Sequence, residues 1–117
     1  MKYMLLMWDS GLPDPAGPPA DELAEPCWMP WAREMDARGV VLAAGGQLHP
    51  AARAVTVRSQ ADEALATDGP FAETKEQIAG YQIIECADLD TAIYAASRHP
   101  VARTDGGSVE VREILAD

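Results

Sequence analysis

Two histidines are the side chains of this chain best suited to move protons near neutral pH. His49 lies in Gln47-Leu-His-Pro50, where an extended run enters a loop, and is a candidate general base. His99 precedes Pro100 at the end of a helical stretch and reads as a cation on the negative end of a helix dipole. Asp68, Glu73, Lys75 and Glu76 crowd one short segment. Neighbouring carboxylates raise one another's pKa and an ammonium lowers them, so Asp68 or Glu73 is placed to act as a base, and Lys75 to stabilise developing negative charge. The same residues also suit a turn pinned by Asp68 with an exposed ion-pair surface. Trp28 and Trp31 stand one helical turn apart and, with Tyr81, are candidates for the wall of an apolar pocket holding a flat ligand. Core packing is the alternative for all three. No Cys/His spacing resembles a zinc site, so no metal and no cofactor are expected.

A chain of 117 residues suits one domain, and 48% apolar content is enough for a real core. The net charge of −10 argues against direct nucleic-acid binding, which needs a basic footprint, and against attraction to an anionic membrane. Met1–Trp8 is apolar but is followed at once by Asp9 and a proline-rich stretch, unlike a signal peptide. No run approaches the roughly 20 apolar residues of a membrane span. Cys27 and Cys86 read as reduced packing thiols, and a cytoplasmic location is expected.

These residues need elements to position them. Lys2–Trp8 is a nearly continuous apolar run and reads as a central strand. Asp9–Pro19, with four prolines, reads as a stiff loop. Leu23, Cys27, Trp31 and Met35 repeat at helical spacing. Asp21 is a candidate cap, and Pro26 and Pro30 impose a kink or a late start before Gly39 ends the helix. Val40–Ala44 and Arg53–Ser59 read as strands joined in a hairpin, Glu63–Ala66 as a short further strand, and Thr67–Phe71 as a turn. Ile78–Glu85 is a strand, and Asp88 caps a helix through His99 with Leu89, Ala92, Ile93 and Ala96 as its buried stripe. Ser108–Ile114 closes the order. The sum is β-α-β-β-(β)-α-β, an α+β, ferredoxin-like split β-α-β arrangement with both helices on one face of an antiparallel sheet. The uncovered apolar face predicts a two-fold homodimer.

The segment Thr67-Asp-Gly-Pro-Phe-Ala-Glu-Thr-Lys-Glu-Gln77 resembles the signature of the YCII-related family in its DGPF branch. Met1–Leu6, Gly45–Pro50, Ala54–Arg58, Ala87–Ile93 and Gly107–Arg112 resemble its other elements, so the likeness covers nearly the whole chain except residues 9–25. The resemblance implies a single domain over residues 1–117 and a dimeric α+β barrel. Most members have no assigned reaction. Related YCII proteins are described as candidate enzymes because a histidine and an aspartate meet in a pocket, and one branch member removes chloride from a hydroquinone-type ring. Some are encoded beside sigma factors, and the wider superfamily contains cofactor-free oxygenases and isomerases. Counted back from Gly39, the helix position of the family histidine falls on Trp28, so the simplest dyad is absent. Three readings follow: a small-molecule-binding or regulatory protein with an enzyme-like pocket, a cofactor-independent lyase, isomerase or hydrolase acting on a small aromatic or carbonyl compound, and a sigma-factor-associated interaction module.

Overall fold

The computed structural model describes residues 1–9, 26–49, 53–68 and 77–115. Its elements are β1 (Lys2–Asp9), α1 (Met29–Ala37), β2 (Val41–Gln47), β3 (Val55–Gln60), β4 (Glu63–Asp68), β5 (Gln77–Glu85), α2 (Leu89–Arg98), a 3-10 turn (Pro100–Arg103) and β6 (Ser108–Glu113). Four strands form one antiparallel sheet in the order β2-β5-β1-β6. Two split β-α-β units interleave, β1-α1-β2 and β5-α2-β6, giving the α+β, ferredoxin-like fold. The apolar run at the N-terminus occupies a central position, as its two-sided composition requires.

Alternation along β1 divides the sheet into two faces. Tyr3, Leu5 and Met7 point to the helices and are buried, while Met4, Leu6 and Trp8 are half-buried on the other side. Register carries the division across the sheet. Gly80, Gln82 and Ile84 of β5 lie opposite Met7, Leu5 and Tyr3, and Tyr81 and Ile83 lie opposite Leu6 and Met4.

Helix α1 takes the late start that its prolines demand. Pro30 sits in the first turn, where its missing N–H is no loss, and Trp28 is the N-cap residue without a side-chain capping bond. Gly39, with φ +84°, ends the helix where a side chain would be strained. In α2, Asp88 accepts from the Thr91 amide at 2.8 Å and the Thr91 hydroxyl at 2.6 Å. Those two donors hold the Asp88 carboxyl below the usual carboxylate range. The helices are tied at the surface by Arg98 and Glu34, 3.0 Å apart, and by the Arg38 guanidinium over the Tyr94 ring at 5.1 Å. Arg112 and Glu110, two residues apart on β6, form an exposed ion pair at 2.8 Å.

Three local readings are corrected. The strand β2 pairs with β5, whereas β3 pairs with β4 as a separate two-stranded sheet turning through Ala61 and Asp62, both at positive φ. The expected β2–β3 hairpin fails because nearness in sequence does not decide pairing when β5 offers β2 a buried central neighbour. Thr67 and Asp68 belong to the backbone of β4, not to a turn. The buried stripe of α2 is Ala92, Ala95 and Ala96, with Leu89 and Ile93 about half exposed. Small residues let α2 approach the sheet and α1 closely, and that face of the helix excludes the two larger side chains.

Candidate functional site

The site is built from the junction of the two helices. The last four carbonyls of a helix have no partner within it. In α2 one of these, the Ala95 carbonyl, accepts the Trp31 indole N–H at 2.8 Å. Trp31 is thereby fixed between the helices, and its ring meets the His99 imidazole edge-on at a centroid distance of 4.8 Å. His99 leaves the helix with φ −68° and ψ 139°, a geometry that Pro100 imposes on the residue before it. Pro100 has no N–H to donate, so the next amide is that of Val101. It donates to His99 Nδ1 at 3.1 Å and caps the 3-10 turn.

This arrangement settles the state of the ring. His99 is only 3% exposed, and burial pushes its pKa down to about 4. The expected role as a cation on the helix dipole is therefore corrected: at neutral pH the imidazole is uncharged. Because Nδ1 accepts from Val101, the single ring proton of the neutral form resides on Nε2. That Nε2 is buried and has no hydrogen-bond partner among the described residues. Gln82, on the helix-facing side of β5 and also 3% exposed, holds a second such atom, its Oε1.

Both side chains line one cavity of about 140 Å³. Met7 and Gly80 of the central strands contribute to its walls, Trp28 closes it from the start of α1, and Val101 from the 3-10 turn. Its rim includes Gln47 and Cys27, both exposed, and Asp9 also lines it. The cavity thus offers a ligand an aromatic wall and apolar strand surface beside two buried polar side chains. Among the described residues, no group of three or more His, Cys, Asp or Glu side chains is placed to hold a metal ion. No helix among the described residues is long and apolar enough to cross a membrane.

A family profile for the YCII-related domain matches residues 1–116. The chain belongs to the YCII-related family. It is also 45% identical over 75 residues to an uncharacterized protein of Rhizobium meliloti, a match that covers 59% of this chain and 60% of that relative.

Within this YCII-related domain the candidate residues are dispersed. Trp28 lines the cavity. Trp31 is buried in the core one turn further on and acts on the cavity only through His99. Tyr81 is half-buried on the opposite face of the sheet, where its ring lies beside Gly46. His49 is exposed, with its Nδ1 3.1 Å from the Arg53 guanidinium, and does not line the cavity. The backbone of Asp68 ends β4, while Glu73 and Lys75 lie outside the described residues, as do Asp21 and the Pro13–Pro19 loop.

Of the two buried polar residues among the cavity lining, Gln82 was not singled out and His99 was read only as a helix-end cation, although both left a signal. Ala92, Ala95, Ala96 and His99 recur at i, i+3, i+4 and i+7, which puts the histidine on the buried stripe of α2. Gln82 alternates with Gly80 and Ile84, placing an amide on an otherwise apolar strand face.

Proposed function

We propose that this YCII-related protein binds a small, mainly apolar or aromatic molecule in the cavity between Trp28, His99 and Gln82, as a binding or regulatory protein. One observation carries the reading: a space of about 140 Å³, the size of a single ring, is lined by Trp28, Met7 and Gly80 together with the buried side chains of His99 and Gln82. Trp28→Ala removes the aromatic wall while sparing the core. It is expected to weaken an aromatic probe at least tenfold, measured by NMR titration, with little change in melting temperature. Unchanged probe affinity would remove the assignment of the cavity.

A catalytic reading, cofactor-independent chemistry on a carbonyl compound, is supported by the state of His99. An uncharged imidazole donating from Nε2 can polarise a carbonyl oxygen. It would act as an electrophile, since Nε2 already carries its proton. Turnover in a panel of small carbonyl and aromatic compounds, lost in His99→Phe, tests this reading.

The partner that the outer face of the sheet favours is a second copy of the chain. Met4, Leu6, Trp8, Tyr81 and Ile83 give that face an apolar centre with no covering element among the described residues. Face-to-face packing of two such sheets forms a two-fold dimer. Sedimentation equilibrium should give twice the chain mass, and Leu6→Glu should shift it to the monomer by burying an unpaired charge. A wild-type monomer at high micromolar concentration would refute the pairing. The DGPF-type branch assignment rests on the 67–77 signature.

A further inference from the structure

We infer that the β3–β4 hairpin is an arm that clasps a second copy of this chain, laying its Val55, Val57, Ala64 and Ala66 side on the outer face of that copy's sheet, beside Tyr81 and Ile83. The inference rests on the two-fold pairing proposed above and adds to it the segment that locks the pair.

The hairpin lacks a surface to lie on. Strands β3 and β4 pair with each other, and neither joins the four-stranded sheet. Their register sets Val57 opposite Ala66 and Ser59 opposite Ala64, and alternation adds Val55 to the same side. Arg58 and Leu65, directly opposed, stand on the other side with Thr56 and Glu63. Val55 is 60% exposed and Val57 64%; among the large apolar side chains of the described residues, only Leu115 is more exposed. Neither strand contributes to the core cluster. A lone two-stranded ribbon is marginal in water, and β-branched residues favour a strand because they pack against a neighbouring surface. The described part of its own chain does not cover this one.

The outer face of the four-stranded sheet offers such a surface on one flank. Tyr81 and Ile83 of β5 stand in register with Gly46 and Ala44 of β2, so large side chains give way to a shelf of small ones. Ala44 and Gly46 are both exposed, and a Cβ at Gly46 would lie 3.6 Å from the Tyr81 ring, which therefore borders the shelf. On the opposite flank Glu110 and Arg112 of β6 lie opposite Leu6 and Met4 and form their ion pair. The apolar strip thus ends in charge toward β6 and in small, uncharged residues toward β2, and the β2 flank suits an apolar ribbon. Side chains two residues apart repeat at about 7 Å on any strand, so Val55 and Val57 mesh with Tyr81 and Ile83.

Two arguments select a second copy as the occupant. The chain carries both halves of the contact, ribbon and shelf, and a two-fold axis fills both shelves with both arms at once. Area gives the other argument. The apolar strip of β1 and β5 from Met4 to Trp8 is roughly 10 Å wide and about 17 Å long, on the order of 200 Å² in projection. A stable interface takes about 800 Å² from each partner. The strip alone is too small to hold two copies together. The arm is a second ribbon of the same width, and each copy gives one and receives one.

The test uses the full-length wild-type chain in a mixed sample, half of it isotope-labelled in its valine methyls and half unlabelled. Isotope-filtered NOE spectra then report only contacts between copies. The expected result is NOEs from the Val55 and Val57 methyls of one copy to the Tyr81 ring of the other. Sedimentation equilibrium supplies a second readout. Val57→Asp should weaken the dimer at least tenfold, whereas Leu65→Asp, the same change on the opposite side of the arm, should leave it within twofold. If the wild type is a dimer that Leu6→Glu dissociates, but Val55 and Val57 show no contact between copies, the arm is overturned and the sheet pairing stands. If those valines contact Tyr81 of their own copy instead, the arm is likewise overturned. If the wild type is a monomer, the pairing reading fails and the arm falls with it. The wild-type spectra decide the matter even where Val57→Asp disrupts the hairpin itself.

Discussion

Trp31→Ala is expected to lower the free energy of unfolding by about 3–5 kcal/mol, the range for deleting a buried aromatic side chain. The residue is 4% exposed and packs in the single core cluster with Met35, Ala92, Ala95 and Ala96. Truncation leaves a void between the helices, since close-packed alanines cannot move in to fill it. It also strips the Ala95 carbonyl of the indole donor and His99 of its edge contact. Trp31→Phe separates the contributions. It keeps most of the ring, loses the 2.8 Å bond, and should cost about 1–2 kcal/mol more than the volume change alone. Urea titrations at constant m-value measure both. A loss below about 1 kcal/mol for Trp31→Ala would mean that the helix junction is not packed as described. For a domain whose whole stability is of order 5–15 kcal/mol, the expected loss brings the variant near its unfolding threshold at 25 °C.

The second large effect is acid sensitivity centred on His99. Its pKa falls from 6.5 to about 4 on folding because burial penalises the charged ring. A second proton would have to enter on Nδ1, where the Val101 amide donates, so protonation also breaks the cap of the 3-10 turn. Folding therefore favours the neutral ring. The stabilisation is fully present above pH 6.5 and is lost as pH falls toward about 4. At 1.36 kcal/mol per pKa unit, the loss is on the order of 3 kcal/mol. His99→Phe keeps an aromatic ring against Trp31 and has no proton to gain. The difference in unfolding free energy between wild type and His99→Phe should therefore shift by about that amount between pH 7.5 and pH 4, in favour of the variant. Carboxylates titrate in both proteins and cancel in the comparison. A pH-independent difference would show that the ring reaches solvent.

The same proton bears on the cavity. Below pH 4 the imidazolium would place a charge beside Gln82 and Trp28, so an uncharged ligand should bind best above the pKa of the folded histidine. Binding and stability then report one titration, which links the core to the site through a single residue.

Some of this was legible in the amino-acid sequence alone, and the physical reason is that it is local. The buried strand Lys2–Asp9 announces itself by continuous apolar composition. Pro30 in the first turn of α1, Gly39 after its end and Asp88 at the start of α2 follow from backbone dihedrals and from hydrogen bonds reaching three or four residues. The element order, and with it the ferredoxin-like arrangement, follows from these signals together with the rule for right-handed split crossovers. The 67–77 segment pointed to the YCII-related family that the full-length match bears out.

What only the tertiary structure decided is non-local. Whether β2 meets β3 or β5 depends on which partner buries it, and periodicity within a strand says nothing about its neighbour. Whether Leu89 and Ile93 or Ala95 and His99 face the core depends on how close α2 must come to α1, a distance set by the Trp31 side chain from a helix about sixty residues away. His99 read as a cation because a histidine at a helix end is ordinarily wet; burial against Trp31 keeps the ring uncharged. Gln82 was an unremarked polar residue in a strand until the fold closed over it. Residue types and spacings determined the elements. The candidate site lies where β1, β2, β5, the start of α1 and the 3-10 turn converge, and burial there changes what His99 can do.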